Sequence, residues 1–429
     1  MEFKALCRAL GLASLACAPS APWAAGFQLL EQSASGIASA YAGSAALADD
    51  ASTVFFNPAG MTRLQEKELS VGLAAVRPSF EFHDQGSLGG VLRGNGDDAG
   101  AWALVPNGYL SWAVGRDLRL GVGLSAPFGL VTDYDEPWVG GTHSLKFDIK
   151  TANINPSLAW RLNEQWSVGA GLNWQRMDAR YRRIVGLANV VLASTQATLD
   201  ADSTAWGWNL GVLYSPTADT RVGFSYRSRV EHDLAGRLRV AGALAGAGPA
   251  LTTGAAKATV ELPDTAIVSL VLRLDRRWEM LADLSWTGWS SIPRVDIARA
   301  SGALNGVTVQ SLGTEFRDTR RIALGAHYAL AEAWKLKFGM AWDQTPVKAP
   351  ASRLVSLPDN NRSWFTTGAQ WVVAPGSRLD LGLAYLRVPE TAIYNDQRNP
   401  DPVLNRGLVN GRYDSSVWIL GAQYSLALR

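Results

Sequence analysis

The stretch Trp166–Gln175, with the sequence WSVGAGLNWQ, alternates between large apolar residues and glycine or small polar residues. Because successive side chains of a β-strand point to opposite faces, this alternation predicts a strand with one broad apolar face and one small, polar face. Tryptophan stands at both ends of the apolar face, at Trp166 and Trp174. The stretch therefore indicates a β-strand that contacts an apolar environment on one side only.

The same alternation recurs along the chain from Glu68 onward. Clear examples are Trp206–Tyr214, Thr220–Arg229 and Lys335–Asp343. Fourteen segments of this kind are predicted, and an even number allows a closed antiparallel barrel with both chain ends on one side. The segments begin near Glu68, Pro106, Leu118, Leu145, Trp166, Ser203, Thr220, Thr259, Trp278, Phe316, Trp334, Ser363, Ser377 and Asp414.

Three features favour a membrane barrel over a soluble sandwich of two sheets. The apolar face carries aromatic residues at its ends, as expected where a hydrocarbon band meets water. The opposite face carries glycine, asparagine and charged residues, which the core of a sandwich would exclude. The connections alternate between short turns, such as Asn163-Glu164-Gln165, and long loops. We therefore predict an all-β membrane protein, a 14-stranded antiparallel outer-membrane β-barrel.

The composition excludes two other classes of protein. The chain has 429 residues, a formal charge of +2 and 18% charged residues. A nucleic-acid-binding protein usually has a clustered basic excess, and this balance argues against one. A helical membrane protein needs runs of about 20 apolar residues, and the sequence beyond the N-terminus contains none.

Residues 1–25 are predicted to be a signal peptide. Lys4 and Arg8 precede an apolar stretch, and small residues lead to a cleavage site after Ala25. A lipoprotein site at Cys17 is the alternative. Both cysteines, Cys7 and Cys17, lie in this segment, so the mature chain is expected to hold no thiol for a disulfide or a metal.

A lumen enclosed by fourteen strands is too wide for the side chains of the wall to fill. We therefore predict that residues 26–66 form a small, partly helical hatch inside a barrel of residues 67–429. The hatch segment has helix-compatible apolar spacing and many small residues. In its block Asp49–Met61, Asn57 is predicted to cap a helix whose first residue is Pro58.

The hatch segment resembles the N-terminal part of outer-membrane hydrophobic-compound transporters of the FadL/TodX type. The resemblance rests first on Gly26–Leu29, Glu31–Gly36, Ala40–Gly43 and Phe55–Met61. It extends over nearly the whole mature chain, through the barrel motifs Pro127–Leu130, Tyr226–Ser228, Trp286–Ser290, Asp343–Val347 and Leu357–Asp359. The chain departs from the common pattern of such barrels because it ends in Ala427-Leu428-Arg429 rather than in an aromatic residue.

The resemblance implies a channel for passive diffusion of hydrophobic molecules, either long-chain fatty acids or monoaromatic hydrocarbons. Ligand would be captured at the extracellular loops, pass to a pocket at the hatch and leave sideways through an opening in the wall. The resemblance also assigns roles to residues. Gly26 and Phe27 would line or plug the pocket, and Asn57, Pro58 and Ala59 would face the opening.

That opening would lie beside an inward kink of the third strand. Alternation is regular over Leu118–Ser125, and then Pro127 removes a ladder donor and Gly129 loosens the chain. These residues place the kink at Pro127-Phe128-Gly129. The alternative is that Pro127 ends the strand at a loop.

No enzyme active site, cofactor or metal site is predicted. The histidines lack metal-ligand spacing and are expected in loops or in the lumen; they are His83, His143, His232 and His327. The lumen-facing charges are predicted to pair with one another. As the alternative, one or two of the bases hold a fatty-acid carboxylate. These charged residues are Arg227, Arg229, Asp283, Arg321, Lys337 and Asp343.

The expected partners are hydrophobic small molecules, outer-membrane lipid and lipopolysaccharide. A monomer in the outer membrane of a Gram-negative bacterium is expected. The sequence does not choose the substrate, because a fatty acid requires a basic contact and an aromatic hydrocarbon requires a uniformly apolar pocket. A plugged barrel with a mainly structural or interaction role is the alternative from another functional class.

Overall fold

Fourteen barrel strands form one antiparallel sheet that closes on itself, as predicted. The structure is a computed structural model and describes residues 26–187, 189–246, 253–401 and 404–428. The predicted signal peptide, residues 1–25, lies outside the described residues. No helix among the described residues is long and apolar enough to cross a membrane.

Eight of the barrel strands are unbroken. They are Lys67–Asp84 (β1), Ala103–Ala113 (β2), Lys146–Arg161 (β5), Trp166–Ile184 (β6), Thr195–Tyr214 (β7), Trp334–Asp343 (β16), Arg362–Ala374 (β17) and Gly407–Ala427 (β20).

The other six barrel strands are each interrupted once. They comprise Leu118–Ser125 (β3) with Gly129–Asp133 (β4), Thr220–Arg227 (β8) with Val230–Gly242 (β9), Gly254–Leu262 (β10) with Thr265–Arg273 (β11), Trp278–Thr287 (β12) with Arg294–Arg299 (β13), Thr308–Gly313 (β14) with Thr319–Ala331 (β15), and Ser377–Arg387 (β18) with Thr391–Gln397 (β19). The third barrel strand, β3 with β4, carries the break that matters most for the site described below.

The first and last strands close the barrel. β1 pairs antiparallel with β20 from Glu68–Ala427 to Asp84–Gly411. Both ends of the barrel domain therefore lie on the side of the short turns, which include 162–165 and 332–333. Long connections such as 85–102 and 344–361 lie on the other side. This asymmetry is typical of outer-membrane barrels, whose long loops are extracellular.

Large apolar side chains face outward, and small or polar ones face the lumen. Trp206 is 66% exposed and pairs in register with Trp174 on the neighbouring strand. Aromatic pairs form across adjacent strands, with ring centroids 4.3 Å apart for Trp166 and Tyr214. Because exposure in this class means contact with lipid, these side chains form the predicted apolar band with aromatic edges.

The expectation that Arg229 faces the lumen is wrong. β8 ends at Arg227 and β9 begins at Val230, so the residues between them interrupt the alternation. Arg229 is half exposed and shares the outer face with Glu231, whereas Val230 is buried. Its guanidinium pairs with Glu261 at 2.9 Å and with Asp264 at 3.1 Å.

The hatch segment fills the lumen with two short helices and one 3-10 helix. The helices span Ala34–Ile37 (α1) and Thr53–Phe56 (α2), and the 3-10 helix spans Pro58–Arg63. Asn57 caps the 3-10 helix, since its side chain accepts a hydrogen bond from the Ala59 amide at 3.0 Å. The predicted helix start is therefore confirmed. Outside the hatch, Val190–Ala193 (α3) is helical, and 3-10 turns occur at Trp289–Ser291, Gly302–Leu304 and Pro350–Ser352.

Glycines on the lumen face of the wall make room for the hatch backbone. A Cβ atom at Gly223 would lie 1.9 Å from the Ala45 carbonyl oxygen, and one at Gly339 would lie 2.3 Å from the carbonyl carbon of Ser39. Such distances are impossible for real atoms, so any side chain at these positions would displace the hatch. The glycine-rich face of the strands is thus explained by close packing against the hatch.

Charged groups of the wall bind polar groups of the hatch. Asp283 accepts hydrogen bonds from the Gly43 amide and the Ser44 hydroxyl, each at 2.7 Å. Arg321 donates to the Ala40 carbonyl at 2.7 Å. Lys337, in contrast, pairs with Asp380 of the wall at 2.7 Å. The lumen charges are therefore only partly paired with one another, and the hatch completes the network.

Removing the Asp283 carboxylate is expected to loosen the hatch. In Asp283→Ala the Gly43 amide and the Ser44 hydroxyl lose their acceptor, which costs about 1–3 kcal/mol for each group left buried and unpaired. We expect raised ion conductance in planar bilayers, because a displaced hatch lets water through. Asp219→Ala, in an exposed short turn, is the control. Conductance equal to that of the wild type would contradict the tethering role of Asp283.

Candidate functional site

The N-terminal end of the described hatch is held in a crowded position. Gly26 has a backbone φ of +64°, and a Cβ atom there would lie 2.6 Å from the Trp289 ring. Both features require glycine. The Gly26 amide donates to the buried carboxylate of Asp359 at 3.3 Å. The cleavage after Ala25 remains a prediction; it would make this nitrogen the mature amino terminus, with a positive charge.

Phe27 lies in a buried aromatic cluster. Its ring centroid is 5.0 Å from that of Trp289 and 5.9 Å from that of Phe128. Trp289 in turn contacts Phe316, with the ring centroids 5.9 Å apart. The structure therefore brings together the predicted site residues Phe27 and Phe128, and it adds Trp289 and Phe316. These four rings are called the aromatic cluster below.

The hatch pairs with the kinked part of the third barrel strand. The Leu29 amide donates to the Pro127 carbonyl at 2.8 Å, and the Gly129 amide donates to the Phe27 carbonyl at 2.9 Å. After the interruption, β4 resumes pairing with β5 from Gly129 to Asp133. Pro127 therefore marks a kink within the strand and does not end it.

The side chain of Gln32 pairs with the backbone groups of Ala126, which the kink leaves without a strand partner. Its side-chain oxygen accepts from the Ala126 amide at 3.0 Å, and its side-chain nitrogen donates to the Ala126 carbonyl at 2.8 Å. A glutamine side chain here imitates a strand partner, because it offers both a donor and an acceptor. The sequence signal for this contact was only the position of Gln32 within the Glu31–Gly36 motif.

The ladder between the second and third barrel strands stops near this kink. β2 pairs with β3 only from Ala113–Arg119 to Gly108–Leu124, whereas it pairs with β1 as far as Ala103. In the described part of the chain, no ladder pair joins Ala103–Asn107 to the third strand. The wall is therefore interrupted between these two strands. This interruption is called the wall gap below.

A small cavity lies on the lumen side of the kink. Its volume is about 60 Å³, and its lining includes Gln28, Phe55, Pro127, Phe128 and Arg227. Such a space admits a few water molecules at most. A long hydrophobic ligand fits only if the hatch or the aromatic cluster moves.

Arg227 is a cation in this cavity whose partners are neutral. It donates to the Phe55 carbonyl at 2.9 Å and to the side-chain oxygen of Asn173, and its guanidinium lies 4.1 Å from the Phe55 ring centroid. Among the described residues it makes no ion pair. Arg321, on the same cavity, lies 3.9 Å from the Asp343 carboxylate.

Asn57, Pro58 and Ala59 contact the wall of the fifth and sixth barrel strands. The Asn57 side-chain nitrogen donates to the Ala45 carbonyl at 2.6 Å and to the Val212 carbonyl at 3.0 Å. A Cβ atom at Gly169 would lie 2.5 Å from the Ala59 amide nitrogen. These contacts fasten the hatch to β6 and β7. The residues that bond the kink itself are Phe27–Leu29 and Gln32.

Glu31 of the hatch is fully buried, and its carboxyl oxygens accept no hydrogen bond of normal geometry from the described residues. Burial raises the pKa of Glu31 from 4.5 to about 7, against the opposing influence of nearby backbone amides and of the Arg362 and Arg321 guanidinium groups. The side chain is therefore partly protonated at neutral pH.

This raised pKa predicts that the hatch is held more firmly at acidic pH. Between pH 4.5 and about 7 the folded hatch binds more protons at Glu31 than the released hatch. Its stability therefore falls as the pH rises through this window, by on the order of 3 kcal/mol in total. Hydrogen exchange of the hatch amides measures the change. In Glu31→Gln this pH dependence should disappear, and a variant that keeps it would refute the assignment.

The periplasmic end of the lumen holds a mixed cluster of charges. Ligand atoms of Asp49, Glu279 and His327 lie within 4.8 Å of one another. Lys335 pairs with Asp49 at 3.5 Å, and Arg221 pairs with Glu279 at 3.2 Å. Since each carboxylate already has a cation, the cluster is balanced as an ion-pair network that ties the hatch to the wall.

The fold and this site define a hatch-plugged outer-membrane transport barrel. Residues 15–428 match the family described as outer membrane protein transport protein (OMPP1/FadL/TodX), and the chain belongs to this family. It is an outer-membrane transporter of hydrophobic compounds and not an enzyme.

Named relatives agree with this assignment. The chain is 29% identical over 440 residues to the long-chain fatty acid transport protein of Escherichia coli strain K12, covering 94% of this chain and 95% of the relative. It is 34% identical over 395 residues to the 47 kDa outer membrane protein of Pasteurella multocida, covering 87% and 90%.

Solved structures show the same fold. The crystal structure of a Pseudomonas aeruginosa FadL homologue matches with a TM-score of 0.84 and 22% identity, covering 94% of this chain and 99% of that one. The crystal structure of the Pseudomonas putida toluene transporter TodX matches with a TM-score of 0.71 and 16% identity, covering 94% and 100%. At these identities the likeness concerns the fold alone.

Proposed function

We propose that this protein takes up long-chain fatty acids by passive diffusion and releases them sideways into the membrane through the wall gap. Ligand is captured at the extracellular loops and moves to the cavity beside the hatch. Gly26 and Phe27 plug the end of this cavity, where Phe27 packs against the lining residue Phe128. Pro127, Phe128 and Gly129 form the edge of the exit, and Asn57, Pro58 and Ala59 hold the hatch in position while its N-terminal end moves.

The observation that carries this proposal is the pairing of Phe27–Leu29 with the kinked strand beside the wall gap. One short segment thus contacts the cavity, the aromatic cluster and the exit. A ligand that inserts among the aromatic rings competes with Phe27 for its place. Displacing the segment Phe27–Leu29 breaks the bond from Leu29 to Pro127 and the bond from Gly129 to Phe27, so ligand arrival and opening of the exit become one event.

A lateral exit suits a hydrophobic ligand physically. Transfer of apolar surface from water to hydrocarbon is favourable by about 25 cal/mol per Å². A path along the lumen would lead through the glycine-packed hatch and the charged periplasmic cluster. The path through the wall gap leads directly into lipid.

Arg227 favours a ligand with a carboxylate over an aromatic hydrocarbon. It lies in the cavity with neutral partners, so a fatty-acid carboxylate would supply a charge-assisted hydrogen bond. Toluene-like ligands offer no such group. The name of the Escherichia coli relative, a long-chain fatty acid transport protein, supports the same choice.

Uptake by cells that lack their own fatty-acid transporter tests the proposal. Wild-type protein should restore uptake of labelled oleate. Arg227→Gln should reduce oleate uptake roughly tenfold, because charge-assisted hydrogen bonds contribute about 1.5–3 kcal/mol. It should leave uptake of a neutral long-chain alcohol unchanged. Arg229→Gln, two residues away on the outer face, is the matched control.

Each outcome separates the alternatives. Restored toluene uptake without oleate uptake would identify an aromatic-hydrocarbon channel. A folded protein in the outer membrane that restores neither would indicate a plugged barrel with a structural or interaction role. Equal oleate uptake in wild type and Arg227→Gln would support the transport function but would show that Arg227 does not bind the ligand.

A further inference from the structure

A chain of hydrogen bonds between side chains joins Arg227 to the edge of the wall gap. Arg227 donates to the side-chain oxygen of Asn173, and the Asn153 side-chain nitrogen donates to the same oxygen at 3.2 Å. The Asn153 nitrogen also donates to the Ser125 hydroxyl at 3.3 Å. These four residues are called the amide relay below. The relay therefore runs from the cation of the cavity to the third barrel strand.

The amide relay reaches the third strand at the base of its kink. Ser125 ends β3, and Ser125 with Asn153 is the last register pair between β3 and β5. Pairing with β5 resumes only at Gly129, after the kink. Ser125 also directly follows Leu124, the last residue of β3 that pairs with β2. The relay thus ends where the wall gap begins.

The side chains of the relay are shielded from bulk water. Asn173, Asn153 and Ser125 are 1%, 2% and 7% exposed. The Asn153 side-chain oxygen has no hydrogen-bond partner in the described part of the chain. Buried polar groups that lose a partner cannot turn to bulk water instead. A change at one link of the relay therefore has to be taken up by the next link.

The Asn153 nitrogen is shared between two acceptors, and both of its bonds are longer than the usual 2.9–3.0 Å. The Asn173 oxygen is shared in turn between the Arg227 guanidinium and the Asn153 amide. A charged donor makes the stronger bond, so the guanidinium dominates at this oxygen. If the guanidinium leaves, Asn173 accepts from Asn153 alone. Asn153 then moves toward Asn173, which weakens its long bond to Ser125.

A side branch of the same amide cluster provides a matched comparison. Asn173 donates to the side-chain oxygen of Asn209 at 3.0 Å, and Asn155 donates to the same oxygen at 3.0 Å. Asn155 lies two residues from Asn153 on β5 and is fully buried. Its nitrogen donates further to the Leu172 carbonyl of β6, at 2.7 Å, and thus away from the third strand. Asn155 therefore matches Asn153 in type, strand and burial, but not in its link to the gap.

We propose that the amide relay couples binding of a carboxylate at Arg227 to release of the gap edge at Ser125. This inference rests on the proposed function, in which Arg227 holds the carboxylate of the ligand. The carboxylate draws the guanidinium away from Asn173, Asn153 follows, and Ser125 loses its side-chain bond. An uncharged ligand leaves the relay in place and opens the exit from the hatch side alone. Asn153 and Asn173 are thus positioning residues that make opening of the gap sensitive to an acid group.

The mobility of a spin label at the gap edge tests the relay in full-length protein in lipid vesicles. Leu124→Cys places the label on the lipid-facing side, next to Ser125. Saturating oleate should raise the ratio of mobile to immobile label about fivefold or more, and oleyl alcohol should raise it less. In Asn153→Leu the ratio should be high without ligand, and the two ligands should give equal responses. Asn155→Leu is the matched control and should respond as the wild type does.

A second variant removes the first link and leaves Asn153 in place. Arg227→Leu should mobilise the label at residue 124 without any ligand, because Asn173 then accepts from Asn153 alone. An immobile label in ligand-free Arg227→Leu would overturn the relay. So would equal differences between oleate and oleyl alcohol in Asn153→Leu and Asn155→Leu, or a wild-type protein that binds oleate without a response of the label. Failure of the proposed function looks different: the wild-type protein would not bind labelled oleate, and the relay would have no trigger.

Discussion

Closing the wall gap covalently is expected to abolish uptake. The last pair of the ladder is Gly108 with Leu124, so the next pair in register would be Asn107 with Ser125. Both side chains are buried on the lumen side. In a protein with cysteine at these two positions, a short bifunctional thiol reagent joins the second and third strands. A ligand that must pass between the strands is then blocked, and transport should fall at least about a hundredfold, to background.

The sequence allows this experiment without interference from other thiols. Its only natural cysteines are Cys7 and Cys17, within the predicted signal peptide, so the mature protein should contain no other thiol. The control places cysteines at Leu110 and Val122, which are register partners inside the intact ladder. Joining that pair should leave uptake unchanged. Full uptake through a protein bridged at 107 and 125 would exclude the wall gap as the exit.

Removal of the Asp359 carboxylate should have the second-largest effect. Asp359 accepts from the Gly26 nitrogen at 3.3 Å and from the Thr345 hydroxyl at 2.5 Å, and it pairs with buried Arg362. In Asp359→Ala the Arg362 guanidinium stays buried without this partner, which costs about 3–5 kcal/mol. The N-terminal end of the hatch also loses its anchor. We expect Phe27 to leave the aromatic cluster, and oleate affinity to rise about tenfold to a hundredfold, because the ligand no longer competes with Phe27 for its place.

Hydrogen exchange and binding together check this prediction. Amides of residues 26–32 should lose protection in Asp359→Ala while those of the β1–β20 ladder keep it. Asp396→Ala is the control, since Asp396, near the end of β19, forms an exposed ion pair with Arg398. If residues 26–32 stay protected in Asp359→Ala, Asp359 does not anchor the hatch.

Much of the barrel could be predicted from local patterns. Alternation in stretches such as Trp166–Gln175 depends only on strand geometry and on which face meets lipid, so the number of strands and the side of each face followed directly. Asn57 followed by Pro58 predicted a capped helix start for the same local reason, and the structure has a 3-10 helix there.

The parts that could not be predicted depend on contacts between distant residues. Arg229 faces outward because the residues between β8 and β9 shift the alternation, and no local pattern announces such a shift. The anchoring of Gly26 by Asp359 joins positions 333 residues apart. Trp289 and Asp359 lay within motifs of the family resemblance, but nothing in those motifs indicated that both contact the start of the hatch.

The partners of the charged residues in the lumen also could not be predicted from local sequence patterns. Asp283 was expected to pair with another lumen charge, but the structure uses it to bind the hatch. Arg321 pairs with Asp343 as expected, and it also donates to the Ala40 carbonyl of the hatch. A sequence shows that a strand face is polar, but the identity of each partner depends on how the hatch is seated. Close approach at Gly223 and Gly339 determines that seating, and it is visible only in the assembled barrel.

Lateral release of the ligand through the wall gap is tested most directly by labelling with a photoreactive fatty acid. The protein in outer-membrane vesicles is loaded with a diazirine analogue of oleate, irradiated, digested and mapped by mass spectrometry. The claim predicts labels at Phe27 and Phe128 and then at the lipid-facing edge of the gap, on Leu124. Labels at the periplasmic end of the lumen, on Glu279 or Lys335, without labels at Leu124, would contradict lateral release.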